Sequence, residues 1–273
     1  MGTVLERGRG IARELAGARR IAHGGGSFAR ITADIGLYRA LRFGDIPGRD
    51  GVRRIRLRDG TVLSYRLNRG DVQGLREVWM GHTYRLPVAL EPVETIVDLG
   101  ANIGLTSVYL ARRYKPQRLI AVEPEPENAR LANLNLRQNA IAGELIEAAV
   151  GPSDGSAFFA RARESNVGHL GDSGLEVRVM SMKTLLSQLP DNVPIDILKL
   201  DIEGGEAALL EGDRGWLARV RVLIAEFHPE QVDYPRLVQL LRDEGFEYVP
   251  AGSVHPNSAD TFYRAGDARL DPA

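Results

Sequence analysis

The chain has 273 residues, enough to bury the core of one large domain or somewhat more. Lys and Arg total 35 against 36 Asp and Glu, so no global positive field exists to hold nucleic acid or an anionic membrane. There is no cysteine, which excludes disulfides, thiolate metal sites and thiol nucleophiles.

Residues 3–22 mix Arg, Glu, Leu, Ile and Ala and predict a surface helix. Its arginines are scattered among Glu6 and Glu14, so it reads as a solvated face or a contact between copies of the chain, not a nucleic-acid arm. No secretory apolar core is read here, and Glu6 stands where a myristoylation signal needs Ser or Thr. With no apolar run of membrane-spanning length, a soluble cytoplasmic protein is expected. The glycines of 24–27 predict a flexible joint, followed by a helix over 28–41. Residues 52–67 alternate apolar and polar around Asp59-Gly60, the signal of a hairpin. In W-M-G-H-T-Y, His82 and Tyr84 can lie across a ligand, or the segment is a linker anchored by Trp79. Residues 1–90 thus read as a cap of helices and a small β element, and 91–273 as the main domain.

From Val93 short apolar runs alternate with helical patterns. E-T-I-V-D-L-G, R-L-I-A-V-E-P, E-L-I-E-A-A-V-G, I-D-I-L-K-L-D and R-V-L-I-A-E-F-H-P are the runs. Helices are predicted at 105–114, 127–139, 204–211 and 234–244. This alternation means a largely parallel sheet covered on both faces. S-A-F-F-A-R-A and L-E-V-R-V-M-S-M predict an extra antiparallel pair around a polar loop at 163–174. G-F-E-Y-V-P and D-T-F-Y-R-A predict a closing strand pair.

V-D-L-G-A-N-I-G follows the first of these strands and opens a helix. Gly100 and Gly104 permit a tight turn and a close approach to the backbone, and the helix offers free N–H groups. Glu123 ends the next strand, where a carboxylate can accept both hydroxyls of a ribose. The spacing is D-x-G-x-x-x-G, with Asn102 where a nicotinamide motif would place its middle glycine. Asp98 would repel a pyrophosphate and attract a sulfonium or an ammonium. These residues therefore favour S-adenosylmethionine over a nicotinamide cofactor.

Three blocks in order, V-D-L-G-A-N-I-G, A-V-E-P-E-P-E-N-A-R-L-A-N-L-N and I-L-K-L-D-I-E-G-G-E, resemble the FkbM-type family of S-adenosylmethionine-dependent methyltransferases. The resemblance spans roughly 95–250. It implies a class I methyltransferase fold, α/β and Rossmann-like, with a seven-stranded, mostly parallel sheet whose last strand is antiparallel. It implies O-methylation of sugars, polyketides or other small natural products. Carried over by position, Asp98, Gly100, Ala101, Asn102 and Gly104 would line the methionine half of the cofactor. Glu123 would hold the ribose, with Pro124 shaping the turn beside it. Ala148, Ala149 and Val150 would lie near the adenine, with backbone groups or Asp154 supplying its polar contacts. Tyr84 would lie across the cofactor.

I-D-I-L-K-L-D-I-E-G-G-E is a strand that ends in charge. Strand alternation puts Lys199 and Asp201 on one face, and Glu226 and His228 arrive from the next strand. Methyl transfer to an alcohol needs a positioned hydroxyl and a base for its proton. His228 is the first candidate, because its ordinary pKa of about 6.5 suits neutral pH. Asp201 or Glu203 would orient it, and Lys199 would act as a counter-ion. The less favoured alternative is a divalent metal on Asp201, Glu203, Glu226 and His228. A third reading is an ion network, with Glu203 and Glu206 at a helix amino end. Asn166 and His169 belong to a solvated loop or touch substrate. His23 and His255 read as solvent histidines, and Trp216 as a packing residue. The functional expectation is an O-methyltransferase acting on a small molecule. An amine or macromolecular acceptor, and a nicotinamide-dependent oxidoreductase, are the competing readings.

Overall fold

The computed structural model describes residues 4–40, 48–160, 169–171, 173–191, 193–227, 232–253 and 258–271. The chain divides into two units, residues 1–82 and 83–273.

In the first unit only Ala22 and His23 separate α1 (Val4–Ile21) from α2 (Gly24–Ala40). The expected flexible joint at 24–27 is instead the first turn of α2. Gly24 makes the bend with a φ of +71°. The bend is pinned, since Arg58 N donates to Ile21 O (2.7 Å) and His23 N to Arg56 O (3.1 Å). β1 (Val52–Arg56) and β2 (Val62–Arg66) form the expected hairpin, with Gly60 at a φ of +89°. Asp34 on α2 accepts from the Tyr65 hydroxyl at 2.7 Å and pairs with Arg53 at 3.3 Å, tying helix to hairpin. α3 (Arg69–Gly74) is N-capped by Asn68 and continues into a π-helix over Leu75–Gly81. His82 ends that helix in a left-handed conformation.

The second unit opens with the short β3 (Val88–Ala89). It then alternates β4 (Thr95–Leu99), α4 (Leu105–Tyr114), β5 (Arg118–Glu123), α5 (Pro126–Gln138) and β6 (Glu144–Glu147). β7 (Ala149–Gly151), β8 (Gly155–Ala160), β9 (His169–Gly171), β10 (Leu175–Ser181) and α6 (Met182–Leu186) follow. Next come β11 (Ile195–Leu200), α7 (Glu206–Glu211), a 3₁₀ turn over Gly215–Arg219 and β12 (Val220–Ala225). α8 (Tyr234–Asp243), β13 (Glu247–Val249), β14 (Asp260–Tyr263) and β15 (Arg269–Leu270) close the chain, with β15 paired to β3.

The main sheet has seven strands in the order β13-β14-β12-β11-β4-β5-β6. β14 runs antiparallel to β12 and β13, while β12, β11, β4, β5 and β6 run parallel to one another. This is the class I methyltransferase arrangement, with the last of the seven strands antiparallel. Val97, Leu99, Leu198, Leu200, Leu223, Ala225 and Phe262 bury one face of the sheet against Leu209, Leu237 and Leu241 from α7 and α8. Alternation then turns Asp98 and Lys199, which are register partners, to the opposite face.

The run at 144–151, expected as one strand, is two. β6 belongs to the main sheet, and after Ala148 the chain enters a second sheet ordered β7-β10-β8-β9. The predicted antiparallel pair is β8 with β10, closed over Phe159, Val177 and Val179.

Candidate active site

The parallel strands all end on one side of the sheet, and the site is built from those ends. Gly100 follows β4 with a φ of +76°, and Gly100 N and Ala101 N both donate to Val122 O on β5 (3.0 and 2.9 Å). A Cβ at Gly100 would fall 1.8 Å from Asp201 O, so only glycine lets this turn pass the end of β11. Asn102 is left-handed at φ +49° and Gly104 at φ +77°. A Cβ at Gly104 would meet Ala132 Cα at 2.9 Å, so this glycine sets the approach of α4 to α5.

Glu123 ends β5 and is 5% exposed. Its Oε2 accepts from Asn102 N (2.8 Å) and its Oε1 from Glu125 N (3.0 Å). Burial pushes its carboxyl up to about 7, against the backbone N–H bonds of Glu125 and Asn102 that favour the ion. Oε1 also accepts a long bond from Asn128 Nδ2 (3.5 Å), while Oε2 keeps a lone pair that can accept a hydroxyl. Pro124 makes the half-buried link to Glu125, which caps α5 by accepting from Asn128 N at 2.8 Å.

Lys199, 2% exposed, is the hub of the charged strand end. Its Nζ donates to Gly100 O (2.5 Å) and Leu99 O (3.2 Å) and lies 3.3 Å from Asp201 Oδ2 and 3.4 Å from Asp98 Oδ1. Burial pulls its pKa down, but Asp201 and Asp98 outweigh that and raise it, so it stays an ammonium. Asp98 Oδ2 accepts from Ser107 Oγ, in the first turn of α4, at 2.5 Å. The Tyr84 hydroxyl lies 3.2 Å from Asp201 Oδ2 and 3.0 Å from Glu226 Oε2. Burial first, then Glu226 and Asp201, push its pKa well up and keep the phenol neutral.

The segment after Asp201 is a tight turn. Glu203 has a φ of +56°, costly for a non-glycine residue, and Gly204 a φ of +94°. Glu206 holds this turn, accepting from Ile202 N and Gly204 N, both at 2.9 Å. The sequence expectation gave Glu206 only a place at a helix amino end. Its role as a clamp was missed, since nothing local in E-G-G-E says which amides the carboxylate will find.

The structure thus gathers Asp98, Lys199, Asp201, Glu226 and Tyr84, and places the Gly100–Gly104 turn and Glu123 beside them. His228 lies outside the described residues, as do Asn166 and His255. Glu203 is half-buried in the turn, two residues past Asp201. Among the described residues no group of three or more His, Asp and Glu has the form of a metal site. Ala149 and Val150 are buried in β7, and Ala148 N donates to Glu123 O at 3.2 Å. Asp154 is turned to other work, accepting from Ser181 N (2.8 Å) and Thr184 Oγ1 (2.5 Å) at the start of α6. Trp216 is buried in the main core, as expected, and His23 is exposed.

A family profile described as the methyltransferase FkbM domain matches residues 98–248, more than half of the chain. The chain belongs to the FkbM methyltransferase family. This FkbM-family enzyme is 28% identical over 239 residues to the 31-O-demethyl-FK506 methyltransferase FkbM of Streptomyces tacrolimicus, covering 73% of this chain and 91% of that protein. It is 27% identical over 210 residues to the methyltransferase sdnD of Sordaria araneosa, covering 63% of this chain and 80% of that one. Among solved structures it is similar to M. capricolum TrmK in complex with S-adenosyl-homocysteine, at TM-score 0.35 and 10% identity. That match covers 63% of this chain and 62% of TrmK, so the chain spans less than two thirds of that protein. A likeness this distant adds nothing to the strand order itself.

Proposed function

We propose that this methyltransferase uses S-adenosylmethionine to methylate a hydroxyl of a small molecule of the natural-product class. The observation that carries the reading is the pair Asp201 and Glu226, joined by Tyr84 and set beside the Asp98–Gly104 turn. When bound, S-adenosylmethionine supplies a methyl group already activated by its sulfonium. The protein's own tasks are to hold that molecule, to place the hydroxyl and to take its proton.

The residues fit the cofactor. Glu123 offers an acceptor oxygen, Oε2, where a ribose hydroxyl would come. Asn102 Oδ1 is buried with no hydrogen-bond partner among the described residues, which suits a donor such as an ammonium. Gly100 lets the turn pass close beside Asp201 because no Cβ stands there. The proton of the acceptor hydroxyl goes to a base at the ends of β11 and β12. His228, two residues past Glu226, and the carboxylates of Asp201 and Glu226 are the groups proposed for that work, with Lys199 fixing Asp201. An oxygen acceptor is supported by the relative named for methylation at 31-O. The acceptor class, a cytoplasmic setting and independence of a metal belong to the same proposal.

The test supplies S-adenosylmethionine labelled in its methyl group with matched alcohols and amines of sugar and polyketide type. Label on oxygen, undiminished by exhaustive chelation, is the expected result. Label on nitrogen, or calorimetric binding of NADH without binding of S-adenosylhomocysteine, would refute it.

A further inference from the structure

The two acids that flank Lys199 are set differently. Asp98 is 0% exposed and its Oδ2 is taken by Ser107, whereas the Asp201 side chain keeps 20% of its surface at the strand mouth. The Asp201 main chain is fixed, since its N–H donates to Leu99 O (3.3 Å) and its carbonyl lies against the Gly100 turn. The carboxylate is not fixed by its backbone, because the last torsion of an aspartate is broad. Two groups hold it, and both take the same oxygen. Oδ2 lies 3.3 Å from Lys199 Nζ and 3.2 Å from the Tyr84 hydroxyl. Oδ1 accepts no hydrogen bond among the described residues. Tyr84 is 5% exposed and is itself held. Its ring lies 5.9 Å from Lys199 Nζ, its hydroxyl is also 3.0 Å from Glu226 Oε2, and the preceding Thr83 O accepts from Ala259 N at 3.1 Å.

A proton-accepting oxygen must reach the acceptor hydroxyl while that hydroxyl is in line with the methyl. Resting on the O-methylation reading above, we propose that Asp201 Oδ1 is this oxygen and that Tyr84 is the positioning residue that presents it. In the step, the O–CH3 bond forms as the S–CH3 bond breaks, and the electron pair of the broken bond stays on sulfur. The hydroxyl proton passes to Asp201 Oδ1. A sulfonium and a carboxylate thus become a thioether and a carboxylic acid, and charge balances within the site. The hydroxyl turns strongly acidic only as its oxygen bonds carbon, so a carboxylate beside an ammonium is basic enough. Lys199 alone is a point charge about which the carboxylate can pivot. The phenol adds a second, directional contact on Oδ2 and leaves Oδ1 for the acceptor.

The experiment follows methyl transfer from labelled S-adenosylmethionine to the alcohol that takes label with the unmodified chain, beside calorimetric binding of S-adenosylhomocysteine. Asp201→Asn should lower kcat about 100-fold or more, because an amide cannot take the proton. Tyr84→Phe, which removes one oxygen, should lower kcat about tenfold. In both variants KM for S-adenosylmethionine and Kd for S-adenosylhomocysteine should stay within about twofold. A kcat within about twofold of the unmodified chain in Asp201→Asn overturns the assignment of the base. An unchanged kcat in Tyr84→Phe, or an equal loss of kcat and of S-adenosylhomocysteine binding, overturns the positioning role. If Asp201→Asn does not fold, Tyr84→Phe carries the test. Failure of the O-methylation reading shows instead in the unmodified chain, as no label on any alcohol, and takes the inference with it.

Discussion

The two halves of the site are built by different means. The half around β4 and β5 is local: Asn102 and Glu123 meet across 21 positions, through a backbone N–H and one carboxylate. The half around β11 and β12 is long-range: Tyr84 reaches Asp201 across 117 positions and Glu226 across 142, side chain to side chain. One half is shaped by glycines and main-chain amides, the other by charges that must balance each other. A turn of the first kind tolerates a different side chain where φ allows. A cluster of the second kind cannot lose a member without leaving another uncompensated.

The sharpest way to break this contrast is Lys199→Met. Removing one partner of a buried ionic network costs about 3–5 kcal/mol, because the remaining charge stays buried. A large fall in melting temperature is expected, and a loss below about 1 kcal/mol would show that Lys199 does not hold the cluster together. Next is Gly100→Ala, where the added methyl meets Asp201 O at 1.8 Å and the left-handed φ is also disfavoured. Overpacking of this kind costs about 3 kcal/mol, and binding of S-adenosylhomocysteine should be lost in whatever protein still folds. Unchanged binding would mean that the turn does not shape the cofactor half.

Glu206→Ala separates the two halves more finely. It removes two hydrogen bonds from the turn after Asp201 and should cost about 2 kcal/mol in chemical denaturation. Affinity for S-adenosylhomocysteine should stay within about threefold, since the amide-built half is untouched. The gentlest prediction concerns pH. The folded Glu123 carboxyl sits near 7 against an ordinary 4.5, so the folded protein holds more protons than the unfolded chain between those values. Its contribution to stability therefore falls as pH rises from about 4.5 to about 7 and is level above that. Denaturation curves at a series of pH values should show that slope in the native chain and a flatter one in Glu123→Gln. Across the same range S-adenosylhomocysteine should bind more tightly as pH rises, because the ionised carboxylate is the better acceptor.

The local half was largely legible in the sequence. D-x-G-x-x-x-G between an apolar run and a helix, with an acid at the end of the next run, states its geometry within thirty residues. The alternation of apolar runs and helices likewise gave the parallel sheet. Features that depend on partners far along the chain were not legible. E-L-I-E-A-A-V-G reads as one strand, and only the position of β10 divides it at Ala148. The glycines at 24–27 read as a joint because their pinning to Arg56 and Arg58 lies more than thirty positions away. Tyr84 was singled out, but as a residue across the cofactor. Its two carboxylate partners are fixed by strand order and not by spacing.

The division at Ala148 has a consequence for how this protein could be altered. The main sheet ends its cofactor half at β6, and the next strand belongs to a separate sheet with its own small core of Ala149, Phe159, Val177 and Val179. The polypeptide from β7 to β10 enters beside Glu123 and exits into α6, and Val150 and Met180 anchor it to the main core. Changes to Phe159 or Val177 would therefore alter the lobe while Glu123 and the amides that hold it stay in place.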